Sequence, residues 1–375
     1  MSKKLMISAG ETSGEIYGAL MSRQIKKMWP DIKILGIGGS HMKEEGIELI
    51  APITHVVGIF EVVRHLPKLW DTYQRAKAAL KSEKPDLLVL IDYPDFNLVL
   101  AKAAHAAGIP ILYYVSPQVW AWRKGRIHKI AARVSKMAVL FPFEVQYYER
   151  VGLPCEFVGH PITETLNITE SKEELKLSLG LDPKKDLVAL LPGSRPGEIS
   201  RHIEIVKETA AKLHNKYPSL QIAVALAAGT SLDIVMPEYI KVIAGKTTKL
   251  VAAAKAAAVA SGTATLETAI LGTPMVVYYN IPPLTYHLGK LLVDVEFISL
   301  ANLLSDKQVV QEYVQNEANA DNIFQELDRI LDNDMYRTEM ITNLLLIKKS
   351  MKTEHPSARV AAIAGELADW GSPAE

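Results

Sequence analysis

A single cysteine in 375 residues, Cys155, excludes an intramolecular disulfide and leaves no CxxC pair for a structural zinc, as suits a reducing compartment. No apolar run approaches the roughly 18 residues of a membrane-spanning helix. Lys3 and Lys4 precede a short apolar stretch, but Glu11 and Glu15 follow at once, so the expectation is a first strand and not a secretory leader. The expected location is cytoplasmic, with binding to a membrane surface left open. Charge of one sign is also lacking: 42 basic residues meet 42 acidic ones, so no overall field favours nucleic acid and an anionic ligand must be held locally. His, Cys and carboxylates nowhere cluster at metal-ligand spacing, so neither a metal nor another cofactor is expected.

What the chain has is apolar strands alternating with helices. Leu5–Ser8, Lys33–Gly36, Leu87–Ile91, Ile111–Tyr114 and Lys136–Leu140 read as strands, with helical stretches such as Gly14–Met28 and Leu98–Ala107 between them. The second half repeats the scheme with Leu187–Leu191, Gln221–Ala225, Ala256–Ala260 and Pro274–Tyr278. That pattern predicts an α/β protein of two Rossmann-like, doubly wound domains facing a cleft. The expected bounds are 1–162 for the first domain, 163–345 for the second, and 346–375 for a C-terminal helix crossing back to the first.

The polar loops fall beyond the carboxyl ends of these strands, where open α/β sheets bind ligands. LPGSRPGE puts Gly193, Ser194, Arg195 and Glu198 at a strand–turn–helix junction, and SGTATLE puts Ser261, Gly262, Thr263, Ala264, Thr265 and Glu267 at another. Backbone N–H groups and a positive helix end make such junctions anion sites. Arg195 adds a guanidinium fork suited to phosphate oxygens; the plainer reading is an ordinary turn with a solvated arginine. GETSGE offers Glu11, Ser13 and Glu15 to a sugar hydroxyl, unless Thr12 or Ser13 only caps the helix. DYPDFN offers Asp95 as general base, unless Asp95 and Asn97 are helix caps. SPQVWAWR sets Trp122 beside Arg123, fit to hold a sugar ring and a phosphate, or Trp122 packs in the core. His160 is either functional or a satisfied hinge residue. Val62, Val63, Leu66, Leu69 and Trp70 form an apolar stripe with basic residues after it, readable as a membrane-surface patch or as a helix's core face.

In series, GETSGE, DYPDFN, SPQVWAWR, VGHP, LPGSRPGE, SGTATLE and the NLL of Asn302–Leu304 resemble the lipid-A-disaccharide synthase family over most of the chain. Departures are mild, Thr12 and Glu15 standing where the family often has Ala and Asp. The resemblance implies a GT-B glycosyltransferase, metal-independent, inverting and peripheral to the inner membrane. It would join UDP-2,3-diacylglucosamine to 2,3-diacylglucosamine 1-phosphate (lipid X) through a β-1,6 bond and release UDP. By that likeness Arg195, Glu267 and Asn302 serve the UDP side, and Asp95 with Glu11 and Asn97 the acceptor side. Glu11, Glu15 and Asp95 stay rival bases. The alternatives are a UDP-sugar 2-epimerase or hydrolase of the same fold, or a non-catalytic UDP-sugar-binding protein. Oligomeric state, a homodimer included, stays open.

Overall fold

The computed structural model describes residues 3–52, 59–120, 125–166, 168–227, 230, 235–282, 286, 296–351, 353 and 355–373, without the side chains of residues 12 and 59–65. The chain divides into two compact units, Met1–Glu164 with Thr353–Glu375, and Thr165–Lys352. The return to the first unit thus begins at residue 353 and not at the expected 346, because the helix Asp334–Met351 continues through that point.

In the first unit seven parallel strands form one sheet: β1 (Lys4–Ala9), β2 (Lys33–Gly38), β3 (Glu48–Pro52), β4 (Leu87–Ile91), β5 (Ile111–Tyr114), β6 (Lys136–Val139) and β7 (Cys155–Phe157). Their order is β3-β2-β1-β4-β5-β6-β7. Before the chain leaves this unit its described helices are α1 (Thr12–Met28), α2 (Ser40–Glu44), α3 (Ile59–Glu83), α4 (Pro94–Ala106), α5 (Arg126–Ala131), α6 (Val145–Glu149) and, at the border, α7 (Ile162–Thr165). The second unit holds six parallel strands in the order β10-β9-β8-β11-β12-β13. They are β8 (Leu187–Leu191), β9 (Gln221–Leu226), β10 (Ile240–Ala244), β11 (Ala256–Ala260), β12 (Met275–Tyr279) and β13 (Gln311–Val314). Around them lie α8 (Lys172–Ser178), α9 (Pro196–Lys216), α10 (Thr247–Ala253), α11 (Thr263–Ile270) and later helices.

Helices on both faces explain the continuous apolar runs: every residue of β4, β8 and β11 is buried. The strands that sequence periodicity misses are β3, β10 and β13. Each stands at a sheet edge and is only partly covered, so none needs an unbroken apolar run. Both sheets reverse their winding once, at β1/β4 and at β8/β11, and there the loops that follow the two strands part and leave room for a ligand.

The helix Pro356–Leu367 closes the first unit against α1. Ser357 donates from its Oγ to Glu164 Oε2 (2.7 Å), Arg359 Nη2 donates to Glu156 Oε2 (3.0 Å), and Trp370 meets Trp29 edge-on at 5.2 Å. Gly365 is required by close approach, since a Cβ there would stand 2.1 Å from the Trp29 ring. Gly365→Ala is expected to lower unfolding free energy by roughly 1–3 kcal/mol, the usual cost of overpacking, in a denaturant titration followed by tryptophan fluorescence.

Candidate functional site

The second unit's site is built at its winding reversal. Leu187–Leu191 ends in Pro192 and Gly193, whose φ of +128° favours glycine, and a side chain there would strike Glu198 at 2.7 Å. Arg195 then takes extended backbone as N-cap of α9, and Pro196 at N1 starts the helix with the φ it already prefers. Glu198 folds back under the loop, accepting the Ser194 N–H (3.1 Å) and the Arg195 Nη1–H (3.1 Å). The guanidinium is thereby aimed while it stays half exposed. Across the reversal Gly262, at φ +155°, caps α11 and leaves the first N–H groups of that helix open.

Between these turns lies a cavity of about 400 Å³, which brings together Gly193, Ser194, Arg195, Glu198, Ser261, Gly262, Thr263, Ala264 and Glu267 from the two sequence motifs, and also Tyr279, Thr247 and Ala227. These last three are legible only once strand order is known, since they end β12, open α10 and follow β9. Burial raises the Glu267 carboxyl, while a short hydrogen bond from Thr248 Oγ1 opposes that shift. His202 braces the loop from behind: its Nδ1–H donates to the Pro192 carbonyl (2.7 Å) and its Nε2 accepts the Asn280 N–H (3.0 Å).

In the first unit the corresponding reversal carries carboxylates. Asp92 and Tyr93 follow β4 in the left-handed region, with φ of 48° and 47°, so this turn is strained where ligands are expected. Asn97 holds it there, donating from Nδ2 to the Asp92 carbonyl (2.7 Å) and the Ile91 carbonyl (3.2 Å) while its Oδ1 accepts from Ser8 Oγ (2.7 Å). Tyr113 Oη donates to the same Asp92 carbonyl (2.8 Å). Burial, and then the charge of Glu11, push the Asp92 carboxyl up to about 6. Glu11 is the extended N-cap of α1 and makes no side-chain cap of its own. Asp95 lies in the first turn of α4, exposed and ion-paired with Arg126. Tyr93, not Asp95 or Asn97, is the N-cap of that helix.

Four residues expected at the ligand are occupied elsewhere. Glu15 is buried and accepts the His41 N–H (2.6 Å), its carboxylate spent on the start of α2. Asn97 is fully buried as the clamp just described. Thr265 is fully buried and returns its hydroxyl to the Gly262 carbonyl (2.8 Å). Asn302 is fully buried in the helix Leu300–Ser305, its amide saturated by Val309 N, Val310 N, the Val310 carbonyl and Glu312. Each has the polar group a ligand would need, and in each the fold uses it. Ser13 is half-buried in the first turn of α1. Trp122 and Arg123 lie outside the described residues, as do the side chains of Val62 and Val63. On α3, Thr72, Ala76 and Leu80 face the core and Leu69 leans toward them, whereas Leu66 and Trp70 are 51% and 62% exposed. That part of the stripe is therefore surface. His160 is buried with Nδ1 accepting the Ile162 N–H (3.1 Å), and burial alone lowers it to about 3, so it is neutral and satisfied. Among the described residues no three His, Cys, Asp or Glu side chains gather as a metal site, and no helix is long and apolar enough to cross a membrane.

Sequence reasoning passed over Glu144. It is buried under the SPQVW loop, accepting Trp120 Nε1–H (3.3 Å) and Phe141 N–H (3.1 Å), and burial pushes its carboxyl up to about 7.

Two parallel-sheet Rossmann-like units with Gly-rich turns at the winding reversal define the GT-B class of glycosyltransferases. Solved structures share this fold: spinosyn forosaminyltransferase SpnP (TM-score 0.65, 14% identity, 98% of this chain and 100% of that one), the S. aureus MnaA–UDP co-structure (0.68, 11%, 97% of each), and UDP-GlcNAc 2-epimerase from Neisseria meningitidis bound to UDP-GlcNAc (0.60, 12%, 99% and 100%). The chain belongs to the lipid-A-disaccharide synthetase family, whose model matches residues 5–364. Lipid-A-disaccharide synthase of Geobacter metallireducens is 39% identical over 373 residues, 97% of each chain, and that of Coxiella burnetii 39% over 370, 97% of this chain and 98% of its own.

The elevated Glu144 carboxyl fixes a pH dependence. Its folded value of about 7 lies above the usual carboxylate value, so the native state binds the proton more readily, and stability falls as pH rises from about 4.5 to about 7 and is flat above. In Glu144→Gln this fall should flatten; equal slopes in urea titrations across that window would show that the carboxyl is not buried.

Proposed function

We propose that this chain transfers the diacylglucosaminyl group of UDP-2,3-diacylglucosamine to the 6-hydroxyl of 2,3-diacylglucosamine 1-phosphate, with inversion, at the cytoplasmic face of the inner membrane. The observation that carries the reading is the cavity between the Arg195 and Gly262 turns, with a half-exposed guanidinium and a helix N-terminus directed at one anion position. On this reading a diphosphate occupies that position and the Glu267 carboxylate accepts hydrogen bonds from ribose hydroxyls, which its place in the cavity lining supports. The leaving group's charge is met by Arg195 and the α11 N–H groups, without a metal.

We assign the base to Asp92 in place of Asp95. A base must accept a proton, and the Asp92 carboxyl, partly desolvated and beside Glu11, holds one more tightly than an ordinary aspartate. The Asp95 carboxylate is engaged by the Arg126 guanidinium. In the step, the acceptor O6–H passes its proton to Asp92 as O6 bonds to the anomeric carbon, and the bond from that carbon to the diphosphate oxygen breaks on the opposite face, releasing UDP. Asn97 and Tyr113 fix the turn that carries the base. Exposed Leu66 and Trp70 on α3, with Lys68, Lys77 and Lys81 on the same helix, suit a helix resting at the bilayer interface, where both acylated substrates reside.

Following UDP release with and without acceptor tests the reading: release should require the acceptor, and acceptor-independent release would indicate hydrolysis or epimerisation. Asp92→Asn should lower kcat roughly 10²–10⁴-fold with the donor KM nearly unchanged, whereas Asp95→Asn should cost less than about tenfold. Because the base works ionised, the wild-type rate should rise with pH through about 6 and level off. An unchanged rate in Asp92→Asn removes it from the role.

A further inference from the structure

Between α4 and α5 runs an open groove of about 680 Å³ that the reading above leaves unused. On α4, Asp95, Leu98, Val99 and Lys102 recur at helical spacing along its wall; Arg126 and Lys129 of α5, with Arg133 just after it, form the other. Four cations thus line a groove with one carboxylate, in a chain whose formal charge is zero. Asp95 pairs with Arg126, and Arg133 Nη1 donates to the Leu98 carbonyl (3.0 Å), which pins the two walls together. Lys102 and Lys129 are exposed and make no ion pair with a described residue. Cations gathered in a groove raise the local concentration of anions and mark a position for one. The wall is also apolar, with Val99 49% exposed, which suits an amphiphile better than a free ion.

The groove begins at Pro94 and Asp95, in the first turn of α4 that follows the Asp92–Tyr93 turn. Asp95 is three residues beyond Asp92, and the buried Tyr113, whose hydroxyl donates to the Asp92 carbonyl, also lies within the field of Arg126. A ligand whose hydroxyl is at Asp92 can therefore extend along the α4 wall. We propose that the α4–α5 groove is the subsite for a phosphomonoester carried by the acceptor, with Lys102 and Lys129 as its mobile cations and Arg126 and Arg133 as its fixed ones. This rests on the acceptor-side reading of Asp92. The same dianion could reach the groove as the headgroup of a membrane lipid, and the experiment separates the two sources.

Full-length Lys102→Gln/Lys129→Gln protein, neither residue having a part in the proton transfer, is assayed with the phosphorylated diacylglucosamine acceptor and with its dephosphorylated counterpart. Binding to phosphatidylcholine vesicles with and without phosphatidate is measured in parallel. The ratio of kcat/KM for the phosphorylated over the dephosphorylated acceptor should fall roughly tenfold, through the KM of the phosphorylated one, since two partly exposed charge contacts are removed. The donor KM and melting temperature should not move. An unchanged ratio, or equal losses with both acceptors, overturns the proposal. Lost binding to phosphatidate vesicles with an unchanged ratio assigns the anion to the membrane and also overturns it. Wild-type protein that transfers to neither acceptor sinks the underlying functional reading instead, which keeps the two failures apart.

Discussion

A doubly wound sheet must change its winding direction once, and at that strand pair the following loops diverge instead of packing side by side. Both units of this chain place their polar loops at that point. In the first, the reversal at β1/β4 brings Glu11 next to Asp92; in the second, the reversal at β8/β11 sets the Arg195 turn against the Gly262 turn. The chemistry differs because the loops differ, carboxylates in one and N–H groups with a guanidinium in the other. The shared constraint is topological, and each site's charge follows from what the sequence puts on it.

Holding such loops open needs scaffolding that the ligand does not provide. Two buried asparagines supply much of it. Asn97 ties the strained Asp92–Tyr93 turn to β1 through Ser8, and Asn302 ties the helix Leu300–Ser305 to residues 309, 310 and 312. His202 does the same for Pro192, and Glu198 for Ser194. A buried amide with every donor and acceptor occupied is expensive to disturb, so these residues fix geometry without touching the reacting atoms.

This division accounts for what the sequence discloses and what it withholds. Strands such as Leu87–Ile91 are legible because burial on both faces demands an unbroken apolar run, and the Gly193 and Gly262 turns because positive φ demands glycine. Edge strands β3, β10 and β13 are not, since half their surface has no such demand. Asn97, Asn302, Thr265 and Glu15 read as ligand groups because a clamp and a ligand contact use the same atoms. Only the fold tells which partner is near. Asp92 shows the converse: Asp95, three residues on in the first turn of α4, looks equally able, and the difference arises first from the burial of Asp92 and then from Glu11, which β1 delivers from 81 residues away, while Asp95 is exposed and paired with Arg126. Exposed Leu66 and Trp70 are likewise separable from the core stripe of α3 only by knowing that Thr72, Ala76 and Leu80 set the buried face.

On the proposed function, the two turns of the second unit hold the diphosphate and Asp92 of the first unit is the base. Amide hydrogen exchange of the whole protein, with and without saturating UDP, addresses this most directly. Protection confined to residues 193–198 and 261–267, with 92–97 unchanged, is the expected result. Protection centred on 92–97, or none at the two turns, would contradict it.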